Sequence, residues 1–162
     1  MSHSFSVKVQ KQYFNFAASH FLIFKDGSRE PLHGHNYRVI VQGNARNLQN
    51  DMVIDFLDLK PIVREACNSL DHKLLLPQYN PQLIIEPTGA NYLVTAPDKS
   101  TFSFPQTDVL VLPLTNTSAE NLAVYLAEKI KGELLKKFQF TFTSLEVEVE
   151  ETPGQSAIYV LE

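Results

Sequence analysis

The segment Leu32-His-Gly-His-Asn-Tyr-Arg-Val-Ile-Val-Gln-Gly-Asn44 decides both the fold class and the chemistry expected of this chain. From residue 36 onward it alternates polar and apolar residues, which predicts a strand with one buried face. The buried side of that strand collects Tyr37, Val39 and Val41. His33 and His35 stand at its entrance, and residues two apart on a strand point to the same face. Both imidazoles can therefore reach a single metal ion.

The segment before it supplies a third imidazole. Residues 5–20 alternate apolar and polar side chains except near Gln10–Gln12, so we predict a long strand that is bent or bulged there. An antiparallel pairing of the two strands brings His20 beside His33 and His35. Three neutral imidazoles leave a fourth tetrahedral position open, which is the arrangement of catalytic zinc, although another divalent ion would also fit. The competing interpretation is that these are ordinary surface or hydrogen-bonding histidines.

Two helices and two further strands complete the predicted fold. Apolar spacing predicts a first helix that begins near Asp55 or Asp58, and we favour Asp58 as the cap because Pro61 then lies in the first turn. Thr117, followed three residues later by Glu120, is a capping-box pattern that predicts the start of a second helix. Alternating residues predict two last strands, at 145–150 and 157–161. The order β-β-α-insertion-α-β-β indicates an α+β fold.

An insertion at about 74–114 separates the two helices. Residues 92–95 and 100–104 flank the turn Ala-Pro-Asp-Lys, which predicts a β-hairpin, and 109–112 is a further short strand. We predict a single domain over 1–162 that carries this insertion.

The composition excludes several classes of protein. The chain of 162 residues has 14 basic and 18 acidic side chains, whereas a nucleic-acid-binding domain normally carries a basic excess. No apolar run is long enough to span a bilayer, and the N-terminus has no apolar stretch of signal-peptide length. We therefore expect a cytoplasmic protein that binds neither nucleic acid nor membrane. The single cysteine, Cys67, excludes an internal disulfide and a multi-cysteine zinc site.

Six motifs occur in an order that resembles the 6-pyruvoyl-tetrahydropterin synthase and 6-carboxy-tetrahydropterin synthase family. They are Phe16-Ala-Ala-Ser-His20, Leu32-His-Gly-His-Asn-Tyr37, Met52-Val-Ile-Asp-Phe56, Leu70-Asp-His72, Thr117-Ser-Ala-Glu-Asn121 and Val149-Glu-Glu-Thr152. The resemblance implies a tunnelling fold, in which an antiparallel four-stranded sheet carries two helices on one face. It also implies homotrimers or homohexamers with active sites between subunits, and a zinc ion held by His20, His33 and His35.

The resemblance further implies a lyase whose substrate is 7,8-dihydroneopterin triphosphate, a small pterin triphosphate. Glu151 corresponds to the pterin anchor of the family, and one carboxylate can accept from the two adjacent N–H donors of a pterin. Asp71 and His72 match the family's proton-relay pair, in which the carboxylate fixes the imidazole tautomer. Ser118 is the expected substrate-binding hydroxyl, where family members often carry two threonines.

The chain departs from the family pattern just before His33. Typical members carry a catalytic cysteine there, but residues 28–33 read Ser-Arg-Glu-Pro-Leu-His, with Arg29 at the place used by the 6-carboxy branch. Glu30 stands in a Glu-x-x-His-Gly-His pattern that resembles a third branch, in which glutamate replaces the cysteine as general base. That branch releases 6-hydroxymethyl-7,8-dihydropterin. Cys67 is predicted to be a buried helical residue with no role.

Alternatives to this reaction remain open from the sequence. One is formation of a 6-pyruvoyl- or 6-carboxy-tetrahydropterin without the thiol. Another is a non-catalytic homologue that binds pterin but no longer turns it over, and a third is a protein in which zinc is only structural.

Overall fold

The computed structural model describes residues 3–162, which form ten strands, two α-helices and one 3₁₀ turn. In chain order the elements are β1 (Phe5–Val9), β2 (Asn15–His20), β3 (His33–Ala45), α1 (Phe56–Asn68), β4 (Lys73–Pro77), β5 (Ile84–Thr88), β6 (Asn91–Thr95), β7 (Thr101–Pro105), the 3₁₀ turn (Gln106–Asp108), β8 (Val109–Leu112), α2 (Ala119–Phe138), β9 (Ser144–Thr152) and β10 (Gln155–Leu161). The predicted order of elements is kept, and β4 and β5 are additional strands.

The central strand of the main sheet is β3, and the strand order is β10-β9-β3-β2-β4-β8. β3 pairs antiparallel with β9 on one side and with both β1 and β2 on the other, while β9 pairs antiparallel with β10. Because β1 and β2 lie end to end along β3, this is the predicted antiparallel four-stranded sheet. β4 and β8 extend it through parallel pairing, β2 with β4 and β4 with β8.

The bend predicted near Gln10–Gln12 is a complete break between β1 and β2. β1 pairs with residues 41–45 of β3, and β2 pairs with residues 33–38. Between them, the Phe14 N–H donates to the Lys11 carbonyl (3.0 Å), which closes a turn. β3 also begins at His33, three residues before the predicted start. The paired part of β3 therefore includes both histidines of the His-Gly-His motif.

Both helices lie on one face of the main sheet and share one apolar core with it, as the α+β prediction requires. The helix stripes contribute Leu59, Ile62, Val63, Leu122, Leu126 and Ile130, and the sheet contributes Phe16, Tyr37, Val39, Val41, Val147 and Val149. Within residues 3–162, no helix combines the length and the apolar character needed to cross a membrane.

Of the two predicted starts of α1, the favoured one is wrong by three residues. Asp55, not Asp58, is the N-cap, because its side chain accepts the Leu57 N–H (2.7 Å). Pro61 consequently lies in the second turn, where it removes one hydrogen bond within the helix. Two aspartates three residues apart both suit a cap, and the proline preference selects the wrong one.

The predicted cap of α2 is also wrong, by one residue. Ser118, not Thr117, is the N-cap, and its hydroxyl accepts the Asn121 N–H (3.4 Å). Thr117 is fully buried, and its hydroxyl donates to the Phe21 carbonyl (3.5 Å). Thr117 is buried against the sheet because its carbonyl accepts from His20 Nδ1 at the end of β2 and its hydroxyl donates to the Phe21 carbonyl just after β2.

The three strands β5, β6 and β7 form a separate antiparallel sheet, which adds one strand to the predicted hairpin. The register that pairs Thr95 with Thr101 matches the predicted turn. A second apolar core joins this sheet to Phe21 and Ile23, which follow β2 directly. The insertion therefore packs against the loop that connects β2 to β3.

Candidate metal centre and active site

Three imidazoles meet where β2 ends and β3 begins. The register pairs His20 with His33 and Ala18 with His35, so the three side chains project from the same face of the sheet. The ring centroids lie 4.7, 4.8 and 5.4 Å apart, and one ring nitrogen from each residue lies within 4.8 Å of the others. The three histidines predicted to converge do lie together, and their binding of a metal stays a prediction.

The outer nitrogens of two rings are fixed by backbone carbonyls. His20 Nδ1 lies 2.9 Å from the Thr117 carbonyl oxygen, and His33 Nδ1 lies 2.8 Å from the Pro31 carbonyl oxygen. A carbonyl only accepts, so each Nδ1 carries a proton and each Nε2 keeps a free lone pair. His35 Nε2 lies 2.9 Å from His33 Nε2. This set of imidazole donors fits a tetrahedral zinc ion with one position left open.

Burial controls the protonation of His20, which is 1% exposed. Burial lowers the His20 pKa, and this effect outweighs the Thr117 hydrogen bond and the Glu151 carboxylate, which raise the pKa. The neighbouring His33 and His35 lower it further. At neutral pH the ring is therefore in the neutral form that a metal ion requires.

Glu151, the predicted pterin anchor, lies on β9 beside the imidazoles. Its Oε1 is 3.5 Å from His20 Nε2 and 3.6 Å from His35 Nε2, and it accepts from the Tyr37 hydroxyl (3.4 Å). Burial of Tyr37, together with the charges of Glu151 and Glu30, raises the pKa of this hydroxyl above its ordinary value. Tyr37 therefore stays a hydrogen-bond donor that holds the Glu151 carboxylate near the histidines.

A cavity of about 470 Å³ opens between Glu151 and the start of α2, within the size range of small-ligand sites. Ser118, the predicted substrate-binding residue, lines it as well as capping the helix. The remaining walls are Leu22, Ala119, Glu120, Gly154, Gln155, Ser156 and Ala157. The structure thus brings Ser118 and Glu151 to one cavity beside the imidazoles.

Glu30 lies on the loop between β2 and β3, at the edge of the imidazole cluster. Its Oε1 is 3.9 Å from His33 Nε2, and its Oε2 accepts the Leu22 N–H (3.2 Å). The Glu30 N–H in turn donates to the Leu22 carbonyl (2.9 Å). Glu30 and Glu151 are both 29% exposed, so the cluster carries two carboxylates that solvent or a ligand can reach.

Asp71 and His72 form the predicted pair but lie apart from the imidazole cluster. Asp71 Oδ2 is 2.8 Å from His72 Nδ1, and Asp71 Oδ1 accepts the Ala17 N–H (2.8 Å). Partial desolvation raises the Asp71 pKa, but the hydrogen bonds from Ala17 and His72 outweigh it and lower the pKa. The His72 side chain is 83% exposed, and none of the described hydrogen bonds or ion pairs links it to His20, His33 or His35.

His72 lines a second cleft, of about 510 Å³. On β2 and β3, this cleft is lined by Ala17, Ala18, Ser19, Gly34, His35 and Asn36. The side chains of Ala17, Ser19 and Asn36 alternate along the strands with those that face the helices, so most of this lining lies on the opposite face of the sheet. His35 of the imidazole cluster also borders the cleft. His72 therefore makes no hydrogen bond or ion pair to the described imidazoles of its own chain, although it shares this cleft with His35.

Comparison with known proteins shows where this arrangement belongs. The family model described as 6-pyruvoyl tetrahydropterin synthase matches residues 8–162. The chain belongs to this family. A 6-carboxy-5,6,7,8-tetrahydropterin synthase of Haemophilus influenzae is 31% identical over 131 residues, which are 78% of this chain and 83% of that protein. A Methanocaldococcus jannaschii protein provisionally named as the same enzyme is 34% identical over 146 residues, 89% of this chain and 88% of that protein.

Solved structures confirm the fold of this family member. The 6-pyruvoyl tetrahydropterin synthase of Plasmodium vivax superposes with a TM-score of 0.91 at 34% identity, covering 98% of each chain. Two variants of the Plasmodium vivax protein, each with a TM-score of 0.87 and 35% identity, replace a glutamate named as catalytic with alanine or cysteine. The predicted family and the α+β tunnelling fold are therefore confirmed.

Two contacts at the site escape sequence reasoning. The sequence pattern assigns Thr117 to a capping box and Tyr37 to the buried face of a strand, and neither assignment indicates a contact with His20 or Glu151. In the structure the Thr117 carbonyl orients His20, and the Tyr37 hydroxyl contacts both His20 Nε2 (3.2 Å) and Glu151. The only available signal for Tyr37 is its alternation with His33 and His35, which places all three on one face.

Proposed function

We propose that this chain is a zinc-dependent pterin lyase that converts 7,8-dihydroneopterin triphosphate to 6-hydroxymethyl-7,8-dihydropterin, with Glu30 as general base. The observation that carries the proposal is Glu30 itself, whose carboxylate lies 3.9 Å from a candidate metal ligand on the loop where a cysteine is expected. Membership of the 6-pyruvoyl tetrahydropterin synthase family supports the pterin substrate.

The donor set supports zinc as the cofactor. His20, His33 and His35 would hold the ion through their Nε2 atoms, because the Nδ1 atoms of His20 and His33 donate to carbonyls. When bound, zinc supplies Lewis-acid polarisation of the oxygens on the substrate side chain. The uncharged imidazoles leave the full charge of the ion available for that purpose.

Glu30 is suited to remove a proton from a side-chain hydroxyl of the substrate. Loss of that proton breaks the carbon–carbon bond between the two hydroxyl-bearing carbons, which yields an aldehyde on the phosphorylated fragment. The electron pair of the broken bond passes into the dihydropterin ring, and a proton returns to the carbon that stays attached to the ring. The two products together contain every atom of the substrate.

A cysteine-based reaction has little support in this chain. Cys67 is fully buried in α1, and burial raises the pKa of its thiol to about 12, so it offers no thiolate at neutral pH. The Plasmodium vivax protein, named as a 6-pyruvoyl tetrahydropterin synthase, likewise has a glutamate described as catalytic. Both observations favour Glu30 over a cysteine as the general base, and the proposed 6-hydroxymethyl product rests on the resemblance of the Glu-x-x-His-Gly-His pattern to the glutamate branch.

The cavity beside Glu151 suits the pterin ring. Its carboxylate can accept the 2-amino group and the adjacent ring N–H, and Ser118 adds a hydroxyl at the cavity wall. Glu151 also lies within 3.6 Å of two imidazoles. A ring anchored there would direct its side chain toward the metal position and Glu30.

Incubation of the purified zinc-loaded chain with 7,8-dihydroneopterin triphosphate tests the proposal. Mass spectrometry should show 6-hydroxymethyl-7,8-dihydropterin and a phosphorylated two-carbon aldehyde whose masses sum to that of the substrate. A 6-pyruvoyl or 6-carboxy product would contradict the proposed reaction and would mean that this chain forms such a product without the thiol. Tight binding with unchanged substrate would instead indicate a non-catalytic pterin-binding protein.

The placement of Asp71 and His72 supports an active site shared between subunits. His72 makes no hydrogen bond or ion pair to the described imidazoles of its own chain and is 83% exposed, so it is free to serve the metal site of a neighbouring copy. In that arrangement His72 is the acid that returns a proton to the substrate, and Asp71 fixes the tautomer of its imidazole. A trimer, or a hexamer made of two stacked trimers, would close such a ring of shared sites.

Mixed oligomers test the sharing directly. Glu30→Gln and His72→Ala homo-oligomers should each keep about a hundredth of wild-type activity or less. Co-assembled chains should recover about a quarter of wild-type activity if the two chains assort at random across a head-to-tail interface. The matched control mixes Asp71→Ala with His72→Ala, because both defects lie in the same half-site and no assortment restores it. A Glu30→Gln and His72→Ala mixture that recovers no activity would overturn the shared site.

A further inference from the structure

The loop that carries Glu30 is built as a small hairpin with two faces. At one end the Glu30 N–H donates to the Leu22 carbonyl (2.9 Å), and near the tip the Phe24 N–H donates to the Ser28 carbonyl (2.9 Å). Ile23 and Arg29 form an isolated antiparallel bridge between them. Because side chains alternate along such a ladder, Glu30 faces the imidazole cluster while Arg29 faces away from it.

Arg29 is enclosed by aromatic rings on its side of the loop. Its guanidinium carbon lies 5.0 Å from the centre of the Phe102 ring and 5.6 Å from that of Phe21, which are stacked on each other at 5.6 Å. Phe102 belongs to β7, in the insertion, and Phe21 follows β2. A planar guanidinium gains from such ring contacts because the face of an aromatic ring attracts a cation.

The turn between β6 and β7 supplies the polar contacts of Arg29. Arg29 Nε lies 3.3 Å from Asp98 Oδ2 and donates to the Ser100 hydroxyl (3.2 Å). Asp98 is itself held, because its Oδ1 accepts from the Ser100 N–H (3.0 Å) and hydroxyl. The Arg29 side chain is only 16% exposed, so solvent competes little for these contacts.

The other end of the guanidinium reaches the backbone of Glu30. Arg29 Nη1 donates to the Glu30 carbonyl oxygen (2.8 Å), while the Glu30 N–H and carboxylate both bond to Leu22. The peptide unit on each side of the Glu30 side chain is therefore tied down. One tie comes from the loop itself, and the other comes through Arg29 from the insertion.

We propose that Arg29 is a positioning residue that holds the Glu30 carboxylate beside the candidate metal site. Phe102 and Asp98 of the insertion hold the Arg29 side chain in turn. This inference rests on the proposed function, in which Glu30 is the general base. It gives the 74–114 insertion a role, because Asp98, Ser100 and Phe102 of the insertion contact Arg29 behind the loop that carries Glu30. Lysine cannot replace Arg29, because an ammonium group lacks the planar fork that contacts the Glu30 carbonyl, Asp98 and two rings together.

Turnover of variants tests the inference in the full-length zinc-loaded protein. Arg29→Lys and Phe102→Leu should each lower kcat by about 10- to 100-fold, with KM changed by less than about threefold, because a general base displaced by an ångström loses rate before it loses binding. The control is Glu86→Gln, which changes an exposed side chain of the insertion, on β5, and should keep wild-type kcat.

The same changes in a Glu30→Gln background separate positioning from general damage. If Arg29 acts through Glu30, Arg29→Lys should cause no further loss of kcat once the carboxylate is gone. Fully additive losses in Glu30→Gln would overturn the inference, since they would mean that Arg29 contributes by another route. Wild-type kcat in both Arg29→Lys and Phe102→Leu would overturn it as well.

Amide hydrogen exchange gives a readout that needs no activity. The Leu22 and Glu30 amides, which both bond within the loop, should exchange at least about tenfold faster in Arg29→Lys and in Phe102→Leu, and at the wild-type rate in Glu86→Gln. Unchanged amide exchange in both Arg29→Lys and Phe102→Leu would refute the positioning role even if the wild-type chain proves inactive. If the wild-type chain is inactive but the two variants exchange these amides faster, the positioning role stands and only the proposed reaction is refuted.

Discussion

Replacing Glu30 with glutamine should lower kcat by a factor of about 10²–10⁴, which is the contribution expected of a well-placed general base. The amide is close in shape to the carboxylate and its oxygen can still accept the Leu22 N–H, so the loop should keep its conformation. Only the ability to take a proton is lost. Steady-state kinetics at saturating substrate measure the effect, with metal analysis to confirm that zinc content is unchanged.

The control for this variant is Glu128→Gln, which neutralises an exposed glutamate on α2 and should keep wild-type kcat. A kcat for Glu30→Gln within about threefold of wild type would refute the general-base role, because no positioned base contributes so little. Rate lost together with zinc would point to a ligand role for Glu30, which its distance of 3.9 Å from His33 makes the relevant alternative.

Replacing His33 with alanine should remove the metal ion and with it all measurable turnover. Three protein ligands are the minimum set of a catalytic zinc site, and even partners that only orient a ligand are worth 10- to 100-fold in affinity, so the loss should exceed about 100-fold. His33 is 34% exposed, so its removal leaves no buried cavity and the fold should be retained. Elemental analysis, kcat and circular dichroism of the same sample measure the three outcomes.

His3→Ala is the matched control, because His3 is an exposed histidine that lies outside the cluster. His33→Ala that still binds one zinc per chain at wild-type affinity would refute the proposed ligand set. If loss of zinc also unfolds the chain, the metal is structural, since a catalytic site loses activity and keeps its fold.

The core of the site is readable from the sequence because it depends on local rules. The period of a strand places His33 and His35 on one face, and a simple antiparallel return brings His20 opposite to them. The observed register pairs His20 with His33 directly. The burial of Tyr37 on the same face follows from the same alternation. Such features need no knowledge of the rest of the molecule.

The rest of the site depends on contacts between segments that are distant in the sequence, and such contacts leave no local sequence pattern. Arg29 meets Asp98 and Phe102 across about seventy residues of chain, and nothing in the spacing of these residues indicates the contact. Asp71 and His72 are recognised by resemblance, but the motif does not reveal that His72 makes no hydrogen bond or ion pair to the described imidazoles of its own chain. The two helix caps fail for a different reason, because neighbouring polar residues compete for the same role.

The adjacent residues Thr117 and Ser118 join the metal position to the ligand cavity. The Thr117 carbonyl aligns His20, and Ser118 starts α2 and lines the cavity beside Glu151. A cation bound to His20 would restrict the position of Thr117 through this hydrogen bond, and a molecule in the cavity would restrict the position of Ser118. If a metal ion and a pterin favour the same arrangement of this segment, each raises the affinity of the chain for the other by an equal factor.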